Sequence, residues 1–228
     1  MTKLYMPYDQ AREYILDGDV LLFRGRMAVI ARMIRVYTNS QYAHVGMAGW
    51  SNGGAEDPLS DLMVYEMLPG GGRGVKLSSR VRDLPGDIDV YRVADYHTNY
   101  TWNESGKLLA GETHVLDRRK AVSLMRDFCE PGNYGMKHLF WMAFSHLPVI
   151  RWFIKPPTDD ALKSREMAPT CGEATSYSLR HGFTDVVRNT ADCFTTPGDI
   201  ARSPLLHYMF TLVPPEVEEP EESSLTEE

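Results

Sequence analysis

The chain has 228 residues, 43% of them apolar and 11% aromatic, enough for one sizeable core and too apolar for a disordered protein. A net charge of −7, with no basic run longer than Arg118-Arg119-Lys120, argues against a nucleic-acid partner. Three cysteines, far apart and odd in number, make no disulfide framework and fit a reducing compartment.

No apolar leader follows Met1, which points to a cytoplasmic protein. Asp9 is placed to cap a short helix with Ala11, Tyr14 and Ile15 on one face and Gly18 at its end. Asp19 to Phe23 reads as a short buried strand between glycines, and Met27, Ile30, Ile34 and Tyr37 predict a second helix over 26–38. Tyr42 to Ala48 is expected to be a strand, with His44, Gly46 and Ala48 on one face and Ala43, Val45 and Met47 on the other. The face carrying His44 has little bulk, so another group has room to approach.

Leu62 to Leu68 is a strand candidate whose only charge is Glu66, and a carboxylate buried there needs a partner. The glycine cluster from Gly70 to Gly74 lacks the Lys-Ser/Thr ending of a phosphate loop. It reads as a hairpin tip, with Val75 opening the return strand. Ile88 to Val93 makes a further strand, while 95–115 shows no period and reads as a polar loop or insertion. Asp117 is placed to cap a helix with Ala121, Leu124, Met125 and Phe128 inward, stopped by Glu130-Pro131-Gly132.

Leu139 to Ile154 is the most apolar block, with two Trp and three Phe in sixteen residues, too short for a confident membrane span. It reads as a core helix, or as a movable wall whose exposed part would contact acyl chains or a membrane surface. Near the C-terminus, Thr196 to Pro204 should be a turn with one helical turn, and His207 to Val213 a last strand. Residues 214–228, rich in Pro, Glu and Ser, read as a disordered acidic tail.

The chemistry centres on Pro169-Thr170-Cys171-Gly172-Glu173, which predicts a helix start. Thr170 is the N-cap, Glu173 closes a capping box, and Pro169 marks the boundary. Cys171 then falls in the first turn, beside unpaired N–H groups and the positive end of the helix dipole, both of which favour thiolate. Ala174, Thr175 and Ser178 give that helix a small face able to lie close against a sheet. The same cysteine could also be no more than a small buried hydrophobe. His114, His138 and His146 with Cys129 or Cys193 show no zinc-ligand spacing, so neither a structural metal nor a cofactor is expected.

A thiol at a helix start, a histidine on one strand and a carboxylate on another supply the nucleophile, base and orienting group of a thiol hydrolase. Gly18-Asp19-Val20-Leu21-Leu22-Phe23-Arg24, then Tyr42-Ala43-His44-Val45-Gly46-Met47, Val64-Tyr65-Glu66 before the glycine turn, and Cys171-Gly172-Glu173 occur in that order. Together they resemble the permuted NlpC/P60 (papain-like) cysteine hydrolases, and among these the YiiX/YebB-like branch. The resemblance implies an α+β fold, an antiparallel sheet or small open barrel packed against the nucleophile helix, spanning 1–213 with 95–116 as an insertion. It implies Cys171 as nucleophile, His44 as general base and Glu66 as the group orienting His44. It also implies an oxyanion held by the Cys171 backbone N–H. Tyr134 matches a tyrosine that lines the site in the family. Tyr42 and Gly172, flanking the candidate base and nucleophile, are further expected substrate contacts. Relatives often carry Cys-Ser-Glu where this chain has Cys171-Gly172-Glu173, so a hydroxyl beside the nucleophile is missing. The implied activity is hydrolysis of amide or ester bonds in cell-wall peptides or acyl lipids, in a bacterial or phage setting. Acyl transfer to another acceptor, or a non-catalytic scaffold keeping the fold, are the alternatives, and oligomeric state stays open.

Overall fold

The computed structural model describes residues 2–24, 35, 38–52, 57, 60–68, 71–83, 86–94, 96–102, 108–129, 169–187, 190 and 192–214. Most of the helix expected over 26–38, the apolar block 139–154, Tyr134 and the tail beyond Pro214 lie outside these residues.

Seven strands form one open sheet: β1 (Tyr5–Pro7), β2 (Val20–Phe23), β3 (His44–Trp50), β4 (Leu62–Leu68), β5 (Gly71–Lys76), β6 (Ile88–Val93) and β9 (Leu206–Val213). Their order is β1-β9-β6-β2-β3-β4-β5. Every neighbouring pair is antiparallel except β1–β9, which is parallel. The sheet is therefore mixed, where a wholly antiparallel one was expected. The exception has a simple cause: β1 and β9 come from opposite ends of the chain, so no hairpin dictates their direction. Pro7 ends β1 after three residues, because it has no N–H to give the ladder.

Helices cover both faces of the sheet. On one side lie α1 (Tyr8–Ala11) and α2 (Leu77–Asp83), whose Tyr8, Ala11, Leu77 and Val81 pack with Leu21, Phe23, Ala48, Leu62 and Val64. On the other lie α3 (Arg118–Cys129), α4 (Cys171–His181) and α5 (Pro197–Ala201). Their Ala121, Met125, Ala174, Leu179 and Ile200 pack with Val20, Leu22, Val45, Met47, Tyr65 and Met67. Doubly covered strands must be apolar on both faces, which is why β2 and β4 carry near-continuous hydrophobic runs. Burying a side chain such as Leu22 or Met67 stabilises the fold by roughly 1.5–3 kcal/mol.

Several local expectations change. The cap of α1 is Pro7 without a side-chain bond, and Asp9 sits inside the first turn. The chain then tightens into a 3-10 turn at Arg12–Tyr14, which rotates Tyr14 to 60% exposure while Ile15 stays buried. Residues 95–115, read as a loop, contain the antiparallel hairpin β7 (Tyr96–Trp102) and β8 (Leu108–Val115). In α3, Val122 and Cys129 join Ala121 and Met125 in the core, whereas Leu124 and Phe128 are only half-buried. The glycine cluster is strand rather than tip: β5 begins at Gly71. Small residues are needed there, since a Cβ on Gly72 would lie 2.6 Å from the Cys129 Cα and one on Gly74 would lie 2.8 Å from the Tyr65 ring. Glycine thus lets α3 and Tyr65 press onto β5. Among the described residues no helix is long and apolar enough to cross a membrane.

Candidate functional site

The start of α4 has the geometry its sequence dictates. Thr170 is extended, its hydroxyl oxygen accepts from the Glu173 N–H at 3.3 Å, and Glu173 Oε2 accepts from the Thr170 N–H at 3.1 Å. Such a cap contributes about 1 kcal/mol and fixes the first turn, so Cys171 is held rather than frayed. The small face behaves as expected: Ala174, Thr175 and Ser178 are fully buried.

Three elements bring Cys171, His44 and Glu66 together. His44 opens β3 and Glu66 lies on the adjacent β4 opposite Gly46, two residues along β3 from His44. His44 Nε2 and Glu66 Oε2 are 2.8 Å apart. The ring of Phe23, its cross-strand partner on β2, packs against the imidazole in a tilted arrangement, centroids 5.0 Å apart. The β3–β4 pairing begins only at Gly46, so the Val45 N–H stands at the open end of the ladder. It donates to the Cys171 sulfur, as does the Gly172 N–H. Cys171 also hydrogen-bonds the His44 ring. Glu66 occupies Nε2, so this bond falls to Nδ1.

The charges follow from this packing. Burial alone would push the Cys171 thiol up, but the His44 imidazolium and the N–H groups of Val45 and Gly172 outweigh it and lower the thiol's pKa. Burial likewise opposes a charge on His44. The negative Cys171 sulfur and Glu66 overcome that, raising the imidazole from its ordinary 6.5 to about 9. Glu66 is fully buried, yet His44, Arg80 and Arg73 together hold its carboxyl down at about 2. These opposed shifts favour a thiolate–imidazolium pair backed by an ionised carboxylate. Such a pair offers a nucleophile and a proton donor at once.

Glu66 has further partners that the sequence reading passed over. Arg73 Nε and Nη2 reach Oε1 at 3.0 and 2.7 Å, and Arg80 Nε lies 3.0 Å from the same oxygen. Arg73 sits directly across the β4–β5 ladder from Glu66. A return strand begun at Gly71 instead of Val75 would have revealed it. Arg80 comes from α2, whose only sequence signal is the Leu77/Val81 spacing.

The other expected contacts are placed as follows. Tyr42 is 3% exposed, on the same side of the sheet as α4. Its hydroxyl donates to Asp89 Oδ2 at 2.7 Å, which leaves Tyr91 to donate to the Tyr42 oxygen at 3.0 Å. Gly172 is buried against the chain before α5, where an added Cβ would lie 2.1 Å from the Thr195 carbonyl oxygen. A serine side chain would have no space here. Cys129 is also buried, its sulfur 3.7 Å from the Glu66 carbonyl oxygen, and burial pushes its thiol up to about 11. Its shift is opposite in direction to that of Cys171.

The fold is similar to the crystal structure of metalloprotein yiiX from Escherichia coli O157:H7, at 14% identity and a TM-score of 0.41, covering 87% of this chain and 98% of that one. No protein-family model matches the sequence, and no curated protein does. Among the described residues of this chain, no group of three or more His, Cys, Asp or Glu side chains is placed to hold a metal ion.

Proposed function

We propose that this protein is a thiol-dependent hydrolase of amide or ester bonds, with Cys171 as nucleophile, His44 as acid and base, and Glu66 orienting His44. The observation that carries the reading is the position of one imidazole, hydrogen-bonded to the capped-helix thiol on one side and 2.8 Å from a buried carboxylate on the other. In the first step the Cys171 thiolate attacks the substrate carbonyl carbon. The electron pair moves onto the carbonyl oxygen, beside the Cys171 N–H, which has no intrahelical acceptor at a helix start. The carbon–nitrogen or carbon–oxygen bond then breaks, and the leaving group takes the proton from the His44 imidazolium. Neutral His44 next removes a proton from water as it attacks the thioester. Release of the acid returns the thiolate–imidazolium pair. Glu66 keeps Nε2 protonated and the ring turned toward sulfur throughout.

Peptides related to cell-wall cross-links and acyl lipids are the substrate classes to compare. Intact-mass spectrometry with p-nitrophenyl acyl esters, followed by turnover assays on the two classes, tests the reading. An acyl adduct on Cys171 and hydrolysis lost in Cys171→Ala are expected. Hydrolysis that survives Cys171→Ala, or a wild-type protein that neither acylates nor turns over any member of the panel, overturns it.

A further inference from the structure

Orienting a histidine requires one hydrogen bond, and neutralising a buried carboxylate requires one cation. Glu66 has more than that. Oε2 faces His44 Nε2 at 2.8 Å and Arg80 Nε at 3.3 Å, while Oε1 takes Arg73 Nη2 at 2.7 Å and Arg73 Nε at 3.0 Å. The carboxylate carries one negative charge and the guanidiniums two positive ones, so the three side chains sum to +1 before thiol and imidazole are counted. Arg80 is tied to the histidine by a second route as well. Its guanidinium lies 5.0 Å from the Phe23 ring centroid, and that ring packs, tilted, against His44 at 5.0 Å. Arg80 is 13% exposed and Arg73 44% exposed, so one cation is held inside and the other closes the cluster from the edge strand.

We infer that Arg73 and Arg80 are positioning residues for the proposed reaction, a clamp that fixes Glu66 on His44 and tempers the carboxylate's pull on the imidazolium. The inference rests on the reading of His44 as the base. The groups facing His44 are Cys171 from α4, Phe23 from β2 and Glu66 from β4. Those facing Glu66 are His44 from β3, Arg73 from β5 and Arg80 from α2. Two consequences follow from charge alone. A carboxylate beside two guanidiniums stays ionised through acid conditions and does not take the proton from His44. It is also a weaker partner for the imidazolium than a carboxylate alone would be, so His44 gives up its proton to a leaving group more readily. Without the clamp, the same carboxylate would hold the proton on His44 more tightly and slow its transfer.

The test follows the imidazole directly, by NMR of ring-labelled histidine across pH in the full chain. Wild type is compared with Arg73→Gln, Arg80→Gln and the charge-keeping Arg73→Lys. Loss of either cation is expected to raise the His44 midpoint by roughly half a unit to one unit, with Arg73→Lys returning it toward wild type. A merely structural arginine would lower stability without moving this midpoint upward. An unmoved or lowered midpoint in folded Arg73→Gln overturns the inference. Arg80→Gln decides in the same way should Arg73→Gln not fold. Alkylation of Cys171 in the same samples separates the two possible failures. A wild-type Cys171 no more reactive than a free thiol sinks the hydrolase reading, whereas a reactive Cys171 with an unmoved His44 sinks only the clamp.

Discussion

Glu173→Gln should make this protein more stable in alkali and leave it nearly unchanged in acid. Glu173 is 1% exposed, and burial followed by the nearby Asp192 charge raises its carboxyl from an ordinary 4.5 to about 7, although the Thr170 N–H pulls the other way. A carboxyl with a raised folded-state pKa binds more protons folded than unfolded between those two values. Stability therefore falls as pH rises through that window and stays reduced above it. At about 1.4 kcal/mol per pH unit, the full penalty above pH 7 is of order 3 kcal/mol. Glutamine keeps an amide oxygen for the Thr170 N–H, so the capping box survives while the charge is gone. For a chain of this size each kcal/mol is about 2–4 °C in Tm. Differential scanning calorimetry should then show Glu173→Gln melting roughly 6–12 °C above wild type at pH 8.5 and within about 3 °C of it at pH 5. Equal offsets at both pH values, or a variant less stable in alkali, would refute the reasoning. Either would mean that the buried carboxyl is not carrying an ionisation cost at the start of α4.

Gly172→Ser should destabilise the protein by at least about 2 kcal/mol, because its Cβ would meet the Thr195 carbonyl oxygen at 2.1 Å. Urea unfolding measures the loss. Glu66→Gln should cost about 3 kcal/mol or more by leaving Arg73 and Arg80 without their buried counter-charge, while a measurable residue of hydrolysis remains because the amide can still orient His44. The folded-state carboxyl of Glu66 sits at about 2 against an ordinary 4.5. Its stabilisation is therefore complete above about pH 4.5 and lost as pH falls toward 2, and acid-unfolding curves of Glu66→Gln should lack that share of the transition.

What could be read from the residues was whatever local chemistry decides. The capping box at Thr170 and Glu173, the small buried face of α4 and the strands around His44 and Glu66 all follow from short-range pattern, and all stand in the fold. What could not be read depends on residues distant in the chain. The glycines of β5 look like turn residues until α3 and the Tyr65 ring are laid against them. The parallel direction of β1 is set by β9 at the far end of the chain. Glu66 illustrates both limits. Its need for a partner was evident from its solitary charge in an apolar strand. The combination found, in which Arg73, Arg80 and His44 share one carboxylate, joins three strands and a helix and so has no short-range signature. Gly172 is the reverse case: a glycine that read as a missing contact beside Cys171 is a close packing requirement.

The central claim is that His44 and the start of α4 convert Cys171 into a thiolate at neutral pH, and the rate of Cys171 alkylation by iodoacetamide as a function of pH tests it most directly. Mass spectrometry reports each cysteine separately, with Cys129 as the internal control whose thiol burial pushes to about 11. The account predicts rapid Cys171 alkylation persisting into mildly acidic solution in wild type. In His44→Ala that limb should shift by more than a pH unit toward alkali, and Cys129 should stay slow throughout. A Cys171 profile identical in wild type and His44→Ala, or one that follows an ordinary thiol in both, would contradict it.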